Sequence, residues 1–404
     1  MTLFGWELQK ILKRRSARLA LALVVVWSAA GMLINVFVNQ RYKVSETMPL
    51  IAGPEEIANQ LQWAQPWQGP LTEEKLVAAQ QQIYDFYWDP ANRNADGELN
   101  FEAWVRIMRP LLWLSSTLDS IASSVYGEGT LEELDPQRLA SYYADRHAAV
   151  ERWLEDQYPD PADRALFEAQ EAAVETPFVY DWYGGQFSVL EVLKDIQLGV
   201  CLLLAVALTP LFSGEVQSGV FGLSHCARHG RAKLVGAKLA AALTVAVGVW
   251  AVSSGVVLVL QRRFFGTRGL DCPIQLIRPL ATAPLTLRDC ESYGLVFGLA
   301  CCFGTVAITA VLSAVFRTNF AAMVGVAALL VGLPMFGGLL PGTVQQLVAL
   351  LPTGGDYYEL FRQNLYHLAG LRVWSPVLQL TAQPFYLLVG LPLAGWAYLR
   401  RQMR

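Results

Sequence analysis

Six stretches of the chain are almost purely apolar, and the polar residues gather between them. The stretches cover residues 19–38, 189–212, 234–260, 293–316, 320–340 and 380–399. A bilayer core about 30 Å thick takes roughly 20 mostly apolar residues per helix, so each predicts a transmembrane helix. The second is apolar throughout only from Ile196 to Phe212. The sixth is near the minimum length and carries Pro384 and Pro392, which neighbouring helices can accommodate. Residues 19–38 are longer than a signal-peptide core, and no small-x-small cleavage pattern follows. They are therefore expected to be the first span.

The polar segments have patterns of their own. In residues 1–18, Phe4, Leu8, Ile11 and Leu12 share one helical face, and Lys10, Lys13 and Arg14 lie elsewhere. This predicts an amphipathic helix on the membrane surface before the first span. Residues 39–188 form a domain that reads as helical. Asn100, Asp135 and Asp160 are placed as N-caps, the last two followed by proline. Thr130 and Glu133 have capping-box spacing. Helices are expected over about 71–88, 136–157 and 161–174, with one more carrying Trp104 through Leu118 and ending at Gly127. Seven of the twelve tryptophans lie here, which predicts an aromatic core. Residues 341–379 contain an apolar run, Val344 to Leu351, too short to span and flanked by Pro341 and Pro352. It predicts a short re-entrant or interfacial helix.

Charge orients these elements. Only 16% of the 404 residues are charged, below the roughly 25% of soluble domains. Lysine and arginine favour cytoplasmic loops. With both termini inside, the cytoplasmic ends hold 13 such residues against 7 in the opposite loops, 261–292 and 341–379. Residues 40–190 carry a net charge of −15 and the remainder +12. The large acidic domain is accordingly expected outside. Cys272 and Cys290 fall in the outer loop 261–292, where a disulfide and two separate thiols are both open readings. Cys201, Cys301 and Cys302 read as small apolar residues within spans.

The usual catalytic signatures are missing. The chain has no phosphate-binding loop, no H-E-x-x-H and no G-x-S-x-G, so neither ATP hydrolysis nor hydrolase chemistry is expected of it. His225, Cys226 and His229 lie close together but lack an obvious fourth ligand. No metal or cofactor site is predicted. The acidic pairs of the outer domain lack calcium-loop spacing and read as solvated helix faces.

The loop of residues 213–233 carries the most information. Glu215 stands four residues before Gly219, Arg231 twelve after that glycine, and Lys238 seven further on. In these spacings the chain resembles the membrane subunits of ABC-2 type exporters. It departs from them in having Arg228 where proline is frequent, and in the size of its outer insert. The resemblance implies an all-α polytopic membrane protein: six transmembrane helices, an N-terminal amphipathic elbow helix, and a large helical extracytoplasmic insert between the first two spans. It also implies a permease dimer, with identical or different subunits, in the cell membrane.

By the same resemblance, a coupling helix in loop 213–233 meets a separate ABC ATPase subunit, which binds the ATP. Glu215, Gly219, Arg228, Arg231, Lys233 and Lys238 are the residues implied in that coupling. Gly219 allows close approach, the arginines and Lys233 face acidic groups or anionic lipid, and Lys238 snorkels from the start of the third span. The bilayer is a further partner, and nucleic acid is not. A second reading is a non-transport sensor or assembly protein whose acidic outer domain binds a partner.

Overall fold

The computed structural model describes residues 2–42, 50–94, 96–222, 232–368 and 370–401. It is mostly helical. A short helix, α1 (Leu3–Lys13), is capped by the Thr2 side chain and followed by α2 (Arg15–Ile34), which runs on through a π-turn to Asn39. The later long helices are α9 (Gly184–Leu208), α11 (Ala232–Phe264), α12 (Leu287–Val315) and α15 (Ser375–Arg400). Between α9 and α11 lies the five-residue α10 (Ser213–Gln217). Among the described residues, five helices are long and apolar enough to cross a membrane: Arg15–Asn39, Gly184–Leu211, Ala232–Phe264, Leu287–Val315 and Ser375–Arg400.

The expected fifth span differs. Asn319–Met335 (α13) is apolar but shorter. It contains a π-turn at Ala328–Gly332, with Pro334 just beyond. At about 1.5 Å per residue it reaches roughly 25 Å, because Gly332, Pro334, Gly337 and Gly338 end the helix inside the apolar run.

The long helices pack around α12, which lies against α9, α11, α13 and α15. Close packing uses small residues, as it does between membrane helices generally. A Cβ on Gly298 of α12 would stand 2.2 Å from the Trp250 ring of α11. Trp250 satisfies its indole by donating to the Leu295 carbonyl at 2.9 Å. Outward, Leu19, Val259, Leu388 and Trp396 are exposed. So much outward apolar surface suits hydrocarbon rather than water.

Residues 50–183 form six helices: α3 (Pro54–Ala64), α4 (Glu73–Trp88), α5 (Phe101–Ile107), α6 (Leu112–Ile121), α7 (Tyr142–Gln157) and α8 (Pro161–Glu171). Asn100, Asp135 and Asp160 cap as their side chains predict, and Gly127 ends its helix at φ 71°. Three local expectations fail. Thr130 makes no capping hydrogen bond, and only a 3-10 turn follows it. Pro110 divides the expected Trp104–Leu118 helix into α5 and α6. Residues 136–141 are 3-10 rather than α. Two-residue strand pairs, Arg41–Tyr42 with Ile51–Ala52 and Gly69–Pro70 with Val179–Tyr180, close the ends of the domain.

The domain is bound to two further segments that lie between the long helices. Arg146, buried on α7, pairs with Glu171 and donates to the Pro279 and Ala281 carbonyls at 2.6 and 3.0 Å. A hairpin of two four-residue strands, Leu365–Leu368 with Leu371–Trp374, meets α8 through Arg372, which pairs with Asp163 and with Asp160 at 2.9 Å. Cys272 and Cys290 stand as separate buried thiols in this structure. The Cys272 sulfur accepts from the Asp181 N–H at 3.2 Å, and burial pushes its thiol up to about 12. Cys290 instead lies in the first turn of α12.

Candidate functional site

The loop after α9 is built as a joint. Thr209–Leu211 turns in 3-10 form, and α10 follows at once. The Ser313 hydroxyl, near the end of α12, accepts from the backbone N–H groups of Phe212 and Ser213 at 2.9 and 3.1 Å. It donates to the Thr209 carbonyl at 2.6 Å. The Gln217 side-chain oxygen accepts from the Asn319 N–H at the start of α13. One side of the loop is thereby tied to the inner ends of α12 and α13, taking the loop's basic side as inner.

A buried ion cluster holds the other side. Lys238, 1% exposed, enters from the second turn of α11. Its Nζ is 2.8 Å from Glu215 Oε1 and 3.1 Å from Glu7 Oε2, and it donates to the Leu211 carbonyl at 3.1 Å. The Tyr398 hydroxyl of α15 donates to Glu215 Oε2 at 2.6 Å. Lys10 pairs with Glu7 at 2.6 Å and lies 3.8 Å from Glu215. Burial pushes the Glu215 carboxyl up, yet Lys238, the Tyr398 hydroxyl and Lys10 outweigh it and hold the group below the usual carboxylate range. The cluster therefore joins α1, α10, α11 and α15. The Tyr398 ring also packs on Phe212 and Phe221 at 4.8 and 5.3 Å.

This arrangement corrects one expectation. Lys238 does not snorkel to the surface: it is the buried cation between two carboxylates. Glu215 is likewise buried and engaged internally. No described residue approaches the place where a Cβ on Gly219 would stand, and its φ of +72° closes the turn after α10. Its requirement is conformational. Lys233 is exposed in the first turn of α11. Arg228, Arg231 and the His225, Cys226, His229 group lie outside the described residues.

Sequence reasoning missed Glu7, Ser313 and Tyr398. Glu7 left one signal: it is the only acid on a cationic helix, and it lies on the face that carries Ile11 inward. Phe4 and Leu12 are exposed on the adjoining face, where a membrane surface can receive them.

At the opposite end of the bundle, a second polar group holds the turn after α14 (Gly342–Ala349). The Gln197 amide of α9 donates to the Pro352 and Gly355 carbonyls at 3.4 and 3.0 Å. Gln383 of α15 donates to the Leu350 carbonyl at 2.8 Å. A Cβ on Gly355 would stand 2.1 Å from the Gln379 side-chain oxygen. Buried glutamines thus grip the non-helical segment 350–355 between helices, which is where irregular backbone is tolerated in such a bundle.

No family model, curated protein or solved structure matches this chain. The chain is a mostly helical protein with, among the described residues, five helices long and apolar enough to cross a membrane.

Proposed function

We propose that the chain is the membrane subunit of an ATP-driven ABC-2 type exporter. It acts as a dimer and meets a separate ATPase subunit through the loop between its second and third spans. In this reading α13 is the shortest of six spans, α1 is the elbow helix, both termini are cytoplasmic, and the acidic domain lies outside.

One observation supports it above the others: Lys238 links Glu215 of the loop to Glu7 of the surface helix. A force applied to the loop reaches α1 through this contact, α15 through Tyr398, and α12 through Ser313. Such a joint suits a subunit that converts a partner's movement into helix displacement. Lys233, exposed beside the joint, is a contact available to an acidic partner surface.

The decisive experiment is purification of the tagged protein from native membranes. Recovery of a stoichiometric ATPase supports the proposal, and its absence under mild solubilisation sinks it. In the reconstituted complex, ATPase stimulation by the membrane subunit is expected to fall when Gly219 is replaced by valine.

A further inference from the structure

A cavity of about 540 Å³ opens between α2 and α9, beneath the large domain. Its walls are mostly apolar and include Trp27 and Ile34 from α2, Phe187 and Ile196 from α9, and Trp113 from the domain. This is the size and lining of a site for a drug-sized molecule.

The polar groups of the wall decide which molecule. Gln60 is saturated: its amide donates to Gln40 and Glu56 at 2.9 and 2.7 Å, and its oxygen accepts from the Trp113 and Trp182 indoles at 3.0 and 3.1 Å. Arg109 is neutralised by the fully buried Glu56. Glu191 is paired with Lys194 at 2.8 Å and accepts from the Tyr357 and Tyr358 hydroxyls. Within the Arg109–Glu56 pair, Arg109 Nε and Glu56 Oε2 have no further partner among the described residues, and two more acceptors are left over in the wall. Asp195 lines the cavity from an exposed position; it has no hydrogen-bond or ion-pair partner among the described residues, and Lys194 acts on it only through space. The Asn35 side-chain oxygen, on a residue 9% exposed, is buried without a donor.

The wall therefore offers one carboxylate without a direct partner, one unsatisfied acceptor, and two tryptophan side chains. An unpaired carboxylate at a membrane helix is costly and calls for a cation, and tryptophan faces attract cations as well. We infer that this cavity binds an organic cation with an apolar body, its charge on Asp195 and its hydrophobic part between α2 and α9. The site does not depend on the exporter reading, since binding requires no ATPase.

The test uses the purified full chain in phosphatidylcholine nanodiscs and two probes of matched shape and opposite charge, tetraphenylphosphonium and tetraphenylborate. The phosphonium is expected to bind saturably at one site per chain and to resist displacement by the borate. Asp195→Asn is expected to weaken binding by roughly tenfold, which is about 1.4 kcal/mol. Asp195→Glu keeps it within a few-fold, and Trp27→Leu weakens it with Asp195 intact. Each variant is first checked for monodisperse elution. The inference is overturned if phosphonium binding is non-saturable, if the borate binds equally well, or if both Asp195→Asn and Trp27→Leu leave the affinity unchanged. Failure here leaves the copurification experiment untouched.

Discussion

Lys238 and Glu7 are 231 residues apart in sequence and 3.1 Å apart in space, with Glu215 completing the pair of carboxylates around the buried ammonium. Removing that ammonium leaves both acids facing each other in a place water hardly reaches. Loss of one partner from a buried pair costs about 3–5 kcal/mol. Lys238→Met is therefore expected to lower the midpoint of thermal unfolding in detergent sharply. Glu215→Gln, which keeps a hydrogen-bond acceptor for Tyr398, should cost less. Equal, small losses in both variants would show that the cluster is not the joint described.

Gly219 makes a separable prediction. Its φ of +72° is unfavourable for a side chain, while no described residue approaches the place of a Cβ. Gly219→Ala should cost about 1–2 kcal/mol through backbone strain alone. Asn, which tolerates the left-handed region, should recover part of that loss. A side chain there collides with none of the described residues, so a Val or Ala variant that unfolds the whole chain would contradict this account. Differential scanning fluorimetry of the Ala, Asn and Val variants checks it.

What the sequence discloses depends on how far a feature reaches. The caps at Asn100, Asp135 and Asp160 are contacts two or three residues long, and they form as read. Thr130 has the same local signal, but the chain makes only one 3-10 turn there before Leu134 is buried. The spans show both kinds of error. Phe320 to Leu340 is richly apolar, yet Gly332, Pro334 and the Gly337-Gly338 pair cut the helix short. Ser375–Arg400 is a full helix that the hydropathy pattern begins five residues late, because its first turns carry Ser375 and Gln379, polar residues that face inward. Lys238 reads as a snorkelling cation since its partners, Glu7 and Glu215, are assembled only by the tertiary fold.

The outer hairpin should respond to acid. Hydrogen bonds from Arg372 and His367 hold the Asp163 carboxyl below the usual carboxylate range. A depressed native pKa stabilises docking above the unfolded value, near 4, and that contribution is lost as pH falls through the native value. The hairpin Leu365–Trp374 is therefore expected to stay docked on α8 at neutral pH and to loosen under acid. Asp163→Asn should remove the pH dependence and leave the hairpin looser at every pH. Spin labels placed on the hairpin and on α8, with their separation followed against pH, test this. A separation that changes identically with pH in wild type and variant would refute it.

The glutamine grip on segment 350–355 gives the last prediction. Gln197 satisfies two carbonyls and Gln383 a third, and no regular secondary structure could serve them there. Gln383→Leu preserves approximate volume but leaves the Leu350 carbonyl without its donor. An unsatisfied buried acceptor costs about 1–3 kcal/mol. Gln197→Leu orphans the Pro352 and Gly355 carbonyls together and should cost more than Gln383→Leu. The loss is local, because α9, α12 and α15 keep their packing against one another. Amide exchange is therefore expected to accelerate over residues 350–356 in both variants and to stay slow in the cores of those three helices. If exchange rises evenly along α12 as well, the glutamines support the bundle as a whole rather than this segment.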